Sequence, residues 1–199
     1  MSLLFSPSLE RALRFAADRH RHQTRKGGDV PYITHPVQVA WILQRVGFDD
    51  EPLLIAALLH DVLEDCGVTR GELDREFSPR IGELVGALSE RKRTDGGQPR
   101  PWEDRKREHL LELSSAGPEV QALTLADKLH NLATIAHDLQ SGMDLWSRFN
   151  APRDRVLWYY DAILNACSAA TSDARLATLH AECRHWLTVV SDYIARGQC

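Results

Sequence analysis

The 199-residue sequence holds four cysteines, Cys66, Cys167, Cys183 and Cys199, and no two form a C-x-x-C pair or a metal-finger spacing. That excludes a disulfide-stapled scaffold and a thiolate zinc ribbon. The four read as free thiols of a reducing cytosol, with Cys199 on a fraying end. No stretch approaches the roughly 18 apolar residues of a membrane span. Nor does a cationic segment followed by an apolar one open the chain, where Arg11 and Arg14 interrupt any hydrophobic run. Secretion and membrane insertion are therefore not expected, and a cytoplasmic location is. Positive charge is not in excess: 24 Lys and Arg against 28 Asp and Glu leave a formal charge of −4. A general nucleic-acid binder is disfavoured, although a local basic pocket is compatible with that balance. Sustained strand-like alternation is missing as well.

What is present is helical periodicity, in a composition that is 43% hydrophobic and 26% charged and long enough for one domain. Leu9, Leu13, Ala16 and Ala17 mark one face of a first helix begun by Ser6-Pro7-Ser8. A loop at 27–31 leads to a second helix capped by Thr34 or His35, with Pro36 in its first turn. A third helix is expected from about Glu51 to Asp65, apolar nearly all round at 53–59 and hence central and buried. Gly67 stops it, and Thr69 with Glu72 forms a capping box for the next. Further helices are expected at about 79–90, 102–115, 118–140, 152–170 and 173–196. Residues 91–101 read as a mobile loop, and the runs Arg91-Lys92-Arg93 and Arg105-Lys106-Arg107 as solvated faces.

Three fragments far apart carry the chemistry: His35-Pro36, His60-Asp61 and Asp127. They supply two imidazoles and two carboxylates, a full protein ligand set for one divalent ion. On one helix, the His60 and Asp61 side chains diverge by about 100° and both reach an ion over that edge. Glu64 and Asp65 follow one turn later on the same edge. The resulting polar stripe on a greasy helix would be costly to bury without a cation. Asp127, Asn131 and Thr134 repeat the pattern at i, i+4 and i+7 on a second apolar helix. Mixed imidazole and carboxylate ligands suit Mn2+, Fe2+ or Zn2+ better than Ca2+. With Glu64, Asp65, Lys128 and Asn131 nearby in the pattern, the set points to metal-assisted phosphoester hydrolysis. Each fragment alone has a plainer reading, His35 as a helix cap and Asp127 as the partner of Lys128. It is their co-occurrence that favours the metal. His20, His22, His109, His137, His180 and His185 are given no ligand role; surface or hydrogen-bonded places are expected for them.

The stretches His22-Gln23-Thr24-Arg25-Lys26-Gly27, Pro31-Tyr32-Ile33-Thr34-His35-Pro36, Ala56 to Asp65 and Leu125 to Leu132 resemble, in the same order, the HD superfamily of metal-dependent phosphohydrolases. More narrowly, they resemble the hydrolase domain of Rel/Spo alarmone enzymes and their small stand-alone relatives. The likeness covers about residues 9–165. It implies an all-α, single-domain HD-type helical bundle of about eight to ten helices over 1–199, the C-terminal helix lying at about 173–196. It implies Mn2+ held by His35, His60, Asp61 and Asp127, with Glu64 and Asp65 orienting or deprotonating the attacking water. Arg25 and Lys26 would line the nucleotide pocket, Lys106 would meet phosphates with Arg105 beside it, and Asn131, Thr134, Arg155 and Tyr159 would contact the nucleotide. Trp158 and Tyr160, flanking Tyr159, read as packing residues.

Departures from the family pattern are Gly27 in place of a serine, Ala133 in place of an arginine, and Ala87-Leu88-Ser89 in place of Gly-Val-Thr. They leave the metal chemistry intact and bear on substrate choice. The resemblance implies removal of the 3′-pyrophosphate of guanosine tetra- or pentaphosphate, with no room in 199 residues for synthetase or regulatory domains. A small-molecule nucleotide is then the expected partner, without nucleic acid or membrane. A phosphatase acting on the NADPH 2′-phosphate or on deoxynucleotides is the second reading. A degenerate sensing module is the third, and it would have lost a ligand or a water-activating acid, all of which are present.

Overall fold

Ser6, Asp50, Thr69, Ser78 and Asp173 each accept a backbone N–H with the side chain at the start of a helix, at 2.9 to 3.3 Å. Each satisfies a donor that the helix itself leaves over. Prolines enter the first turn at Pro7, Pro52, Pro79 and Pro118, where their missing N–H costs nothing. In the computed structural model, which describes residues 5–26, 28–94, 96–167 and 172–197, these signals open most of the helices.

The elements are α1 (Pro7–Arg19), α2 (Thr34–Arg45), α3 (Glu51–Leu59), α4 (Val62–Asp65), α5 (Arg70–Glu76), α6 (Pro79–Leu88), α7 (Trp102–Ser115), α8 (Pro118–Gln140), α9 (Arg153–Ala166) and α10 (Ala174–Ala195). A 3-10 turn lies at Trp146–Arg148. Among the described residues the chain is all-α, broken only by isolated bridges at Thr24–Pro31 and Arg93–Pro99. No helix there is long and apolar enough to cross a membrane.

The chain divides into two compact units, one ending at Ser89 and the other comprising Lys26–Gly28 and everything from Glu90 on. In the first, α3 is the hub. All seven residues from Leu53 to Leu59 are buried, and the helix packs on α1, α2 and α6. That all-round burial is what its unbroken apolar run demands. The first unit also pairs α5 with α6. There Gly82 lies so close to Arg70 and Asp74 that an added Cβ would sit 2.0 Å from an Asp74 carboxylate oxygen. In the second unit α10 packs along α8 and against α9, and α7 packs against α9. Cys183 of α10 donates its thiol to the Leu125 carbonyl of α8 at 3.2 Å.

Several expectations are corrected. The helix expected over 51–65 is two helices. At Asp61 the backbone takes φ −97° and ψ −5°, and α4 restarts with Asp65 N–H donating to the Asp61 carbonyl. This is the sparsely populated bridge region, frequent at functional sites. The N-cap of α2 is Ile33 and not Thr34 or His35; the Thr34 hydroxyl instead donates to the Pro31 carbonyl, while Pro36 does lie in the first turn. On α1 the fully buried positions are Ala12 and Ala16, with Leu9, Leu13 and Ala17 only half-buried. The stretch 91–101, expected as a mobile loop, carries backbone hydrogen bonds among its described residues: Thr94 N–H donates to the Gln98 carbonyl and Arg100 N–H to the Lys92 carbonyl. Of the helix expected over 152–170, α9 covers Arg153–Ala166, and residues 168–170 lie outside the described residues. Cys66, Cys167 and Cys183 are free thiols, and Cys199 lies outside the described residues. Burial pushes the Cys66 thiol up to about 11, with the Asp65 and Asp61 carboxylates adding to it, and the Cys167 thiol up to about 12.

Candidate metal centre

The break between α3 and α4 aims the His60-Asp61 pair. His60 Nδ1 donates to the Ala57 carbonyl at 2.8 Å, so in the neutral ring Nε2 carries the lone pair. That nitrogen lies 2.9 Å from Asp61 Oδ2. His35, on the first turn of α2, brings its Nε2 to 3.7 Å from the same oxygen, and the two imidazole rings are 5.0 Å apart edge to face. Ligand atoms of His35 and His60 lie within 4.8 Å of one another, and both residues are buried. Lone-pair nitrogens converging on a carboxylate oxygen are stabilised by a shared cation, and this donor set is the mixed type that first-row divalent metals take. His35 and His60 are thus buried imidazoles of a cluster that could bind a divalent ion, with the Asp61 carboxylate beside them.

Asp61 is held from the other side. The Tyr32 hydroxyl donates to Asp61 Oδ2 at 2.6 Å. Burial pushes the phenol far above its ordinary range, and the Asp61 charge and hydrogen bond push the same way, so it stays a donor. Arg25 lies with its guanidinium 5.5 Å above the Tyr32 ring. On α4, Glu64 is half-buried and Asp65 is exposed, while the Asp61 side chain is 22% exposed. The expectation of a buried acidic stripe is thus corrected: the carboxylates climb from core to solvent along 61–65. Within the first unit, His35 and His60 are the deeply buried groups of that cluster, at 1% and 3% exposure.

In the second unit Asp127 is buried on α8. It accepts from Lys128 Nζ at 2.5 Å and from Asn131 Nδ2 at 2.6 Å. Burial alone would lower the Lys128 pKa, but the Asp127 charge outweighs it and holds the ammonium above its ordinary range. The i, i+4 spacing of Asp127 and Asn131 is realised as a hydrogen bond. Thr134 instead turns its hydroxyl back to the His130 carbonyl at 2.7 Å. Lys106 lies 4.1 Å over the Tyr159 ring and pairs with Glu90, which also accepts from Arg105 at 2.8 Å. Burial pushes the Glu90 carboxyl up, yet Lys106 and Arg105 prevail and hold it below the usual range. Arg105 and Lys106 are therefore half-buried and paired, not the solvated face expected of a basic run, whereas Arg107 is exposed. Tyr159 is buried, Arg155 is exposed and pairs with Glu103, and Trp158 is exposed. Lys26 is exposed, 4.1 Å over the Phe149 ring.

Four residues of these surroundings carried no signal in the sequence. Glu90 anchors the basic pair from 15 and 16 residues away. His109, given no role, is buried on α7 beside Tyr159, with ring centroids 6.3 Å apart. His20 is buried and stacks on Tyr32 at 4.7 Å, and Gln23 bridges from it to Asp65. Only a contact map reveals such pairings, because none lies at a diagnostic spacing.

Known proteins are similar to this chain. GTP pyrophosphokinase rsh of Brucella melitensis is 39% identical over 127 residues, 64% of this chain and 17% of that protein. The chain thus spans about a sixth of the length of that relative. The guanosine-3′,5′-bis(diphosphate) 3′-pyrophosphohydrolase MESH1 of Mus musculus is 36% identical over 138 residues, 68% of this chain and 72% of that protein. A solved structure described as a metazoan ortholog of SpoT that hydrolyzes ppGpp superposes over 100% of both chains, with TM-score 0.72 and 26% identity. Residues 12–156 match the HD domain family, running through α1 to the start of α9 and including the His60-Asp61 pair itself. With that match over more than half of its length, the chain belongs to the HD domain family.

Proposed function

We propose that the chain is a Mn2+-dependent hydrolase that removes the 3′-pyrophosphate of guanosine 3′,5′-bis(diphosphate) and of its pentaphosphate counterpart, releasing pyrophosphate and GDP or GTP. The observation that carries the reading is the convergence of His35 and His60 on Asp61 at the α3–α4 break, in a chain similar to MESH1 over 72% of that protein. We take residues 1–199 as one hydrolase domain acting in the cytoplasm, with α8 contributing Asp127 as the fourth ligand. What supports it is that hydrogen bonds from Lys128 and Asn131 hold the Asp127 carboxylate, as partners of ligating carboxylates do.

When bound, a divalent ion lowers the pKa of water and offsets phosphate charge. The remaining work belongs to side chains. Glu64 and Asp65 accept the proton of the water that adds to the phosphorus on the ribose 3′-oxygen. The bond from that phosphorus to the 3′-oxygen breaks, and the departing oxygen takes up a proton. Arg25, Lys26 and Lys106 offset negative charge on the substrate, and Asn131, Thr134, Arg155 and Tyr159 hold the nucleotide. Lys106 reaches a phosphate by exchanging its Glu90 carboxylate for it, and Arg155 by exchanging Glu103.

A substrate panel with added Mn2+ tests the reading. Pyrophosphate released from guanosine 3′,5′-bis(diphosphate) is the expected product. Orthophosphate released much faster from NADPH or a deoxynucleotide would overturn it. For the acids, Glu64→Gln with Asp65→Asn is expected to keep Mn2+ and lose about 10²–10⁴-fold in turnover, the range of a lost general base. A double variant with wild-type turnover would remove them from the mechanism.

A further inference from the structure

His20 has no assigned role, yet it is 2% exposed and stands one residue away from both Asp61 and Asp65. Its ring stacks on Tyr32 with centroids 4.7 Å apart, and the Tyr32 hydroxyl donates to Asp61 Oδ2 at 2.6 Å. Its Nδ1 lies 2.5 Å from Gln23 Oε1 and 3.3 Å from the Cys66 sulfur. An amide oxygen only accepts, so Nδ1 carries a proton. That fixes the Gln23 amide with its NH2 turned outward, where Nε2 donates to Asp65 Oδ2 at 3.3 Å. The reversed amide would set its oxygen against a carboxylate and its NH2 against a ring N–H, a double mismatch. One buried imidazole thus supports two hydrogen-bonded arms, through Tyr32 to the candidate metal ligand and through Gln23 to the candidate proton acceptor.

We infer that His20, Tyr32 and Gln23 form a positioning brace, in which Tyr32 aims Asp61 at the metal and Gln23 aims Asp65 at the attacking water. None of the three touches the reacting atoms. Backbone hydrogen bonds hold the brace in register: Gln23 N–H donates to the His20 carbonyl and Tyr32 N–H to the Gln23 carbonyl, both at 2.9 Å. Partners that orient ligating carboxylates contribute about 10–100-fold to metal affinity or activity. The two arms act on different quantities. The Tyr32 arm supports binding of the ion, whereas the Gln23 arm supports turnover once the ion is bound.

Single substitutions separate them. Tyr32→Phe keeps the ring stacked on His20 and removes only the hydroxyl; its Mn2+ affinity, measured by chelator competition without substrate, is expected to fall about tenfold. Gln23→Met, at a half-exposed position, keeps the side-chain length without the amide. It is expected to retain wild-type Mn2+ affinity and KM and to lose about tenfold in kcat on guanosine 3′,5′-bis(diphosphate). His20→Phe, which keeps the stack and removes Nδ1–H, is expected to follow Gln23→Met. In an Asp65→Asn background Gln23→Met is expected to cause no further loss, since the group it aims is gone; a structural defect would persist there. Wild-type Mn2+ affinity in Tyr32→Phe, or a kcat loss from Gln23→Met that survives in Asp65→Asn, overturns the brace. The inference rests on Asp65 as proton acceptor. Asp65→Asn with wild-type turnover would remove that reading. Loss of turnover in Asp65→Asn beside normal kcat in Gln23→Met would remove the brace alone.

Discussion

His109 illustrates how much a single position on α7 depends on groups that sequence spacing does not connect. The imidazole is 6% exposed, and burial pushes its pKa down to about 4, with Lys128 and Lys106 adding to burial and Glu90 and Asp127 opposing it. In the unfolded chain a histidine titrates near 6.5. Between about 4 and 6.5 the unfolded state therefore binds the extra proton, so stability falls as pH drops through that window and is fully kept above it. The His109 share of the loss is about 2 kcal/mol at pH 5 and saturates near 3 kcal/mol below pH 4. Urea unfolding at pH 7 and pH 5 checks this: His109→Phe is expected to be less sensitive to acid than wild type by about 2 kcal/mol. Equal pH sensitivity in the two proteins would contradict it. At this scale the sequence displayed the ligand candidates, because a histidine followed by aspartate on a greasy run is conspicuous. It did not display His109, His20, Gln23 or Glu90, whose importance lies in what surrounds them.

Among the elements, most helix starts were legible, but the cap of α2 and the interruption at Asp61 were not. Ser6, Asp50, Thr69 and Ser78 announce their helices through a local side-chain bond that the sequence encodes directly. The α3–α4 break has no such signal. Val-Leu-Glu-Asp is a good helical continuation, and the break accompanies a bond from His60 Nδ1 to Ala57 and the bridge-region backbone of Asp61. Helical periodicity likewise gave the acidic edge of 61–65 but not its depth, since depth depends on where the neighbouring helices stop. The end of α4 was legible: Gly67 adopts φ +69°, a left-handed conformation that glycine takes without penalty. A Cβ there meets nothing within 4 Å, so Gly67→Ala carries only the backbone cost. Replacing it is expected to destabilise the protein by about 1–2 kcal/mol. A chemical-denaturation midpoint for Gly67→Ala equal to wild type would show that the segment relaxes freely.

For the whole chain the most direct consequence of the proposed metal set is thermodynamic linkage. The family match over residues 12–156 includes parts of both units, and the proposed ligands do as well: His35, His60 and Asp61 lie in the first, Asp127 in the second. An ion that binds the native state and not the unfolded one stabilises it by RT ln(1 + [L]/Kd), about 2.7 kcal/mol at a hundredfold excess over Kd. For a chain of this size that corresponds to a rise in melting temperature of about 5–10 °C. Calorimetry of the wild-type protein with and without Mn2+ is expected to show this rise. His60→Ala, which removes a buried ring nitrogen from the first unit, is expected to abolish it. Asp127→Ala is the sharper comparison, because Asp127 also pairs with Lys128 and Asn131 and its loss leaves a half-buried ammonium without this carboxylate. That variant is expected to be destabilised even without metal. The quantity to compare is therefore the Mn2+-induced increment within each variant, not its absolute melting temperature. A full increment in Asp127→Ala would confine the metal set to the first unit and leave Asp127 as the ion-pair partner of Lys128.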